Sequence, residues 1–157
     1  MLLGATNTIR QFRARLCVIA ALSLFLAGPQ LGCNSGSSGV TETEGKTRLT
    51  RLLRLYQVYV NKKKKGPASE QELRDLGKQL TPQEREDFLI GDDLENIFIS
   101  SRDKQPFVIK YNLRLEPGGP TQGVAWEAKG KDGKRYVALS VGYVEEYREE
   151  AAQEYMK

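Results

Sequence analysis

The apolar positions fall into stretches of different period. Leu16 to Ala27 (LCVIAALSLFLA) is a continuous apolar run, closed by Gly28-Pro29. Residues 34–46 (NSGSSGVTETEGK) carry one aliphatic side chain. They can bury too little to order themselves, which predicts a flexible tether over 33–46. From about residue 47 the pattern becomes helical. Leu49, Leu52, Leu53, Tyr56, Tyr59 and Val60 recur at three- and four-residue spacing, with Arg48, Arg51 and Arg54 between them. That spacing predicts an amphipathic helix ending near Asn61. Ser69-x-x-Glu72 reads as a capping box that opens a second helix, with Leu73 and Leu76 on its inner face. Thr81-Pro82-x-Glu84 opens a third, with a capping threonine and proline at the first helical position. This third helix is expected to pack Phe88 and Leu89 and to stop at Gly91.

The period then shortens to two. Phe107, Ile109, Tyr111, Leu113 and Leu115 alternate with polar residues or Val108, which predicts a half-buried strand ended by Pro117-Gly118-Gly119-Pro120. Val124–Lys129 and Arg135–Val141 predict two more strands. The short Gly130-Lys131-Asp132-Gly133 connection suits an antiparallel hairpin. Beyond Gly142, the spacing of Val144, Tyr147, Ala151 and Tyr155 predicts a C-terminal helix. The expected fold is therefore α+β: N-terminal helices packed on one face of a three-stranded antiparallel sheet, with a C-terminal helix. One domain over 47–157 accounts for the folded part. Its first helix should lie on the sheet face that carries Phe107, Ile109 and Tyr111.

Charge sharpens the reading of the chain's start. Arg10, Arg13 and Arg15 precede the apolar run, and no acid accompanies them. A basic stretch, a 12-residue apolar run and small residues behind it make a secretory signal over 1–32. Twelve residues rise about 18 Å as a helix, against about 30 Å of hydrocarbon, so a permanent span is not expected. Removing the three arginines leaves 21 basic and 20 acidic residues, a net of +1. The basic character of the full chain is then no evidence for nucleic-acid binding.

Leu31-Gly32-Cys33 resembles the lipobox of bacterial lipoproteins, with Gly32 before the cleavage point and Cys33 after it. Gln30 stands where that family has leucine. The resemblance implies cleavage between Gly32 and Cys33, a diacylglyceryl group on the Cys33 thiol and a palmitate-type acyl chain on its freed amine. It also implies a place in the cell envelope, anchored on the periplasmic or outer side of a bacterial membrane. Two or three acyl chains hold stably where one holds marginally. No A-x-A site offers a plain secretory cleavage.

A second resemblance rests on order. A Leu- and Tyr-rich helix leads into KKKKGPASEQELRDL, strands follow, and DGKRYVALSVG closes the series. This is similar to the periplasmic head of type II secretion pseudopilins and implies that head's topology. The prepilin-peptidase signature and long apolar helix of that family are absent from the sequence, with the lipobox-type signal in their place.

Candidate chemistry is narrow. With no histidine there is no Ser-His-Asp triad, no Cys-His pair and no histidine proton shuttle. Cys17 and Cys33 both lie near the start and make no zinc cluster. No cofactor or metal set is expected. Asp92, Asp93 and Glu95, after Glu84, Glu86 and Asp87, could serve as a carboxylate pair, but solvated helix ends explain them as well. Glu145, Glu146, Glu149 and Glu150 suit the start of a helix. Lys62, Lys63, Lys64 and Lys65 either meet an anionic surface or complement a helix C-terminus. Seven tyrosines and Trp126 would either line a groove or serve the core. The expectation is a non-catalytic binding or scaffolding module of the envelope. Its partners are the membrane, through the N-terminal lipid, and other envelope proteins or cell-wall polymer, with no nucleic acid. A small carboxylate hydrolase, or a plain secreted pseudopilin-like protein, is the alternative.

Overall fold

The computed structural model describes residues 38–157 except Pro117, with backbone alone over 38–42. The signal at 1–32, including Gly32, and the lipid-attachment residue Cys33 lie outside the described residues. No helix among the described residues is long and apolar enough to cross a membrane.

The first helix, α1, runs Ser38–Lys63. The domain boundary expected at residue 47 thus falls inside this helix, and residues 38–46 of the expected tether are helical. Leu49, Leu52, Leu53, Tyr56 and Tyr59 are buried as their spacing predicts, and Val60 is partly buried against the same core. The buried face is wider than that stripe, because Leu55 and Val58 are buried too. The second helix, α2 (Glu70–Gln79), packs against α1 and covers this extra surface. Gly77 of α2 lies close to Leu94: a Cβ there would come within 3.2 Å of the Leu94 side chain. The chain leaves α1 through Lys64, whose φ is 59° and whose N–H donates to the Val60 carbonyl at 2.7 Å.

The caps of the next two helices differ. In α2, Ser69 Oγ accepts from the Glu72 N–H as expected. The Glu72 carboxylate, however, accepts from the Ala68 N–H at 2.9 Å and the Tyr59 hydroxyl at 2.5 Å. It therefore ties α2 to α1 instead of closing the box. In α3 (Pro82–Asp87) both halves of the Thr81–Glu84 box form. The expected packing of Phe88 and Leu89 is not found. The helix closes at Asp87 and Leu89 adopts a left-handed conformation (φ 57°). That turn leaves Leu89 69% exposed and buries Ile90 in its place. A 3₁₀ turn at Asn96–Phe98 follows, with Ile97 and Phe98 buried beside α1.

The sheet has four strands, not three. They are β1 (Val108–Ile109), β2 (Gly123–Trp126), β3 (Lys134–Leu139) and β4 (Val144–Arg148), antiparallel in that spatial order. β1 is far shorter than the predicted strand because Asn112 turns the chain at φ 57°. Leu113 and Leu115 then pack on the core without pairing, and Tyr111 is exposed. Gly66 sits so close to this turn that a Cβ would fall 2.5 Å from the Leu113 carbonyl, so only glycine fits. β4 occupies the first part of the predicted C-terminal helix. Glu145 and Glu146 are therefore strand residues, and the helix α4 is only Glu149–Tyr155.

Alternation along β3 divides the interior. Tyr136 and Ala138 face the main core with α1, while Val137 and Leu139 join Trp126 and Ala152 in a smaller cluster. Tyr147 and Tyr155 pack there with ring centroids 4.9 Å apart. The sheet is thus covered on both faces, by α1 and by α4, and not on one as expected.

Candidate functional site

Three groups of residues could carry chemistry. The first is buried. Glu127 follows β2 and is fully buried. One carboxylate oxygen accepts from Ser100 Oγ at 2.8 Å and the other from the Tyr136 N–H at 2.9 Å. Arg102 Nε lies 3.5 Å from Glu127 and makes no hydrogen bond. The Arg102 guanidinium donates to Glu146 at 2.6 Å and to the Lys131 and Lys134 carbonyls at 3.3 Å. It also lies 4.3 Å from the Tyr136 ring centroid, at cation–π distance. Burial opposes its charge, but Glu146, Glu127 and Tyr136 outweigh that and hold its proton more firmly than usual. Burial pushes the Glu127 carboxyl up against its hydrogen bonds and Arg102. Asp103 receives the Lys129, Gln105 and Gly130 N–H groups, which outweigh its burial and hold it below the usual carboxylate range. Together these residues lock the 100–105 loop to the β2–β3 hairpin and β4. A substrate has no route to a fully buried carboxylate, so this network holds structure.

The second group comprises the residues singled out in the sequence. Lys62 pairs with Glu84 at 3.1 Å, while Lys63, Lys64 and Lys65 are exposed. The Thr81 N–H and Lys62 hold the Glu84 carboxyl below its usual value. Asp92 pairs with Arg85 at 3.2 Å, Asp93 accepts from Asn96, and Glu95 pairs with Arg74 at 2.5 Å. These acids cap and brace turns. Among the described residues no three of His, Cys, Asp and Glu converge on a metal position. The tyrosines divide between the cores and the surface. Burial and the hydrogen bond to Glu72 respectively push Tyr56 and Tyr59 up to about 12. If the three exposed lysines meet anionic lipid, the domain should bind anionic vesicles weakly, at about 1 kcal/mol per lysine. Binding should fade as salt shortens the interaction to about 8 Å. Equal binding of anionic and neutral vesicles, or no effect of Lys63→Glu with Lys64→Glu and Lys65→Glu, would leave the run as a solvated helix end.

The third group was not singled out. Two clefts flank α1, of about 610 Å³ and about 580 Å³. The first is lined by Thr43, Glu44, Thr47, Arg48, Arg51, Asp93, Asn96 and Ile97, and the second shares Thr43, Thr47 and Arg51. Both fall in the size range of small-molecule sites. Arg51 stands between them, on what the sequence shows only as the polar side of a helix. Its guanidinium rests on Gly91, where a Cβ would come within 3.2 Å of Cζ. Gly91 also has φ 76°, so the glycine first read as a helix stop serves as the arginine's seat.

Comparison of the chain with protein-family models, with curated proteins and with solved structures finds no match.

Proposed function

We propose that the protein is a lipid-anchored, non-catalytic component of the bacterial cell envelope, serving as a binding or scaffolding module. The observation that carries this reading is the order of its first segments. Three arginines, the apolar run Leu16–Ala27 and Gly32-Cys33 stand four residues before a helix that enters the folded domain. Cys33 and Ser38 are five residues apart and at most about 18 Å, so a lipid on Cys33 would hold the start of α1 close to the bilayer. From Ser38 to Lys63 the helix extends about 39 Å. The exposed lysines then reach anionic headgroups only if α1 lies along the surface. Standing upright, it would carry them toward other envelope proteins or cell-wall polymer.

A non-catalytic role draws support from the use of the acids. Glu84, Asp92, Asp93 and Glu95 serve caps and ion pairs, and Glu127 is closed off from solvent. The anchor is tested by Cys33→Ser. The wild-type chain is expected in the membrane fraction and released only by detergent, with the variant in the aqueous fraction. Unchanged partitioning would eliminate the lipid anchor and favour a signal retained through Leu16–Ala27.

A further inference from the structure

We propose that α1 lies flat on an anionic lipid bilayer, with Leu89 and Val141 entering the headgroup–acyl boundary on either side of it. This rests on the lipid anchor proposed above and deepens that reading, because it assigns the face of the domain that the membrane meets. Leu89 and Val141, 69% and 51% exposed, are the two most exposed large hydrophobic side chains among the described residues. They come from distant segments, yet both stand beside one stripe of α1. Lys46, Thr50, Arg54, Gln57 and Asn61 recur at four- and three-residue spacing and form that stripe. Leu89 borders one cleft with Lys46 and Thr50, and a second with Phe88, Arg54, Val58 and Asn61. Val141 borders a third with Gln57, Val60 and Asn61. At 3.6 residues per turn, Val58 and Val60 fall on opposite sides of the Gln57–Asn61 row, so the two apolar side chains bracket it. Gly142, next to Val141, passes so close to α1 that a Cβ would lie 3.2 Å from Gln57 Nε2. Single exposed aliphatic side chains are ordinary, whereas a pair framing one helix face points to a contact surface.

The charge of this face suits anionic headgroups. Between Glu44 and Glu70 the chain has no acid. Lys46 and Arg54 lie in the stripe, and Lys63, Lys64 and Lys65 are exposed at its end. Against them stand Glu86, Asp87 and Glu116 on the cleft rims, while Lys62 and Glu84 pair with each other. The balance is positive, and an anionic leaflet attracts such a face. The anchor supplies the position. Thr43, in the Leu89 cleft, is five residues into α1, about 8 Å along its axis from the end that Cys33 tethers. Asn61, in the Val141 cleft, lies a further 18 residues on, about 27 Å. The tether brings the Leu89 end to the bilayer, and Val141 joins it only when α1 lies along the surface. Apolar side chains of a helix lying in this way reach about 5–10 Å into the boundary.

The experiment uses the full chain, expressed with its signal, purified from membranes and reconstituted into vesicles of equal parts phosphatidylglycerol and phosphatidylcholine. On the anchor reading Cys17 leaves with the signal and the Cys33 thiol carries its diacylglyceryl group, so an introduced cysteine is the one thiol open to a fluorophore. Leu89→Cys, Val141→Cys and Gln153→Cys receive it in turn. Gln153 is exposed on α4, across the sheet from α1. Lipids with a nitroxide on the acyl chain should quench most of the fluorescence at 89 and 141 and leave the label at 153 bright. In phosphatidylcholine alone the quenching at 89 and 141 should be largely lost, although the anchor keeps the chain on the vesicles. Equal quenching at all three positions, or the same quenching in phosphatidylcholine alone, would overturn the proposal. Bright labels at 89 and 141 would also overturn it and leave the face to an envelope protein or a second copy. The unsubstituted chain separates the two readings. If it takes up fluorophore, a thiol at Cys17 or Cys33 is free, and the anchor falls with this proposal. If it takes up none and the labels at 89 and 141 stay bright, this proposal falls alone.

Discussion

Arg102→Met is expected to destabilise the domain by about 3–5 kcal/mol at pH 7, because it strands a fully buried carboxylate without its cation. That is a large share of the roughly 5–15 kcal/mol available to a domain. The loss should appear as a fall in melting temperature on the order of ten degrees. Its pH dependence has a definite sign. Burial already pushes the Glu127 carboxyl above its usual value of 4.5, and removing Arg102 raises it further. The folded variant then binds more protons than the unfolded chain between those two values. Its stability must fall as pH rises through that window and recover as pH is lowered from 7 toward 5. Arg102→Met with Glu127→Leu should recover part of the loss, since neither ion is then stranded. A single variant that melts like wild type at pH 7, or whose deficit grows on acidification, would contradict this account of the network.

Leu53→Ala carries the second large effect. Leu53 is fully buried on α1 at the centre of the main core, among Leu49, Leu52 and Tyr56. Removing such a side chain costs about 2–5 kcal/mol, as lost burial plus the cavity left behind. The melting temperature should drop by several degrees or more. Arg51→Ala, on the half-buried polar side of the same helix, should shift it little, because no partner is lost. Equal melting of the two variants, or proteolytic removal of residues 47–61 from an intact remainder, would make α1 an appendage to the domain.

The core stripe of α1 was legible because six apolar side chains repeat at one period with arginines between them. The Thr81 cap was legible because all its partners lie within four residues. β4 was not. Val144 and Tyr147 stand three apart, as on a helix, while Val144, Glu146 and Arg148 also alternate as in a strand. Pairing with β3 decides between them, and that pairing is tertiary. The long first strand failed for a related reason. Its apolar positions continue past Asn112, yet the left-handed turn there moves Leu113 and Leu115 off the sheet while keeping them on the core.

Site residues were less legible than the fold. Glu127 reads as an exposed acid in sequence, and its burial depends on Ser100 and Arg102, at least 25 positions away in the chain. Arg51 reads as solvated, since nothing local shows that Gly91 will pass beneath it. The start of the chain is the opposite case. Its basic, apolar and Gly-Cys segments are contiguous, so the expectation of a lipid anchor rests on the sequence alone and falls outside the described residues.

The intact mass of the mature protein, with its N-terminal residue identified, tests the central claim most directly. The account predicts a chain beginning at Cys33, heavier than the polypeptide by a diacylglyceryl group and a further acyl chain. An unmodified N-terminus at any other residue, or a full-length chain still carrying Leu16–Ala27, would contradict it.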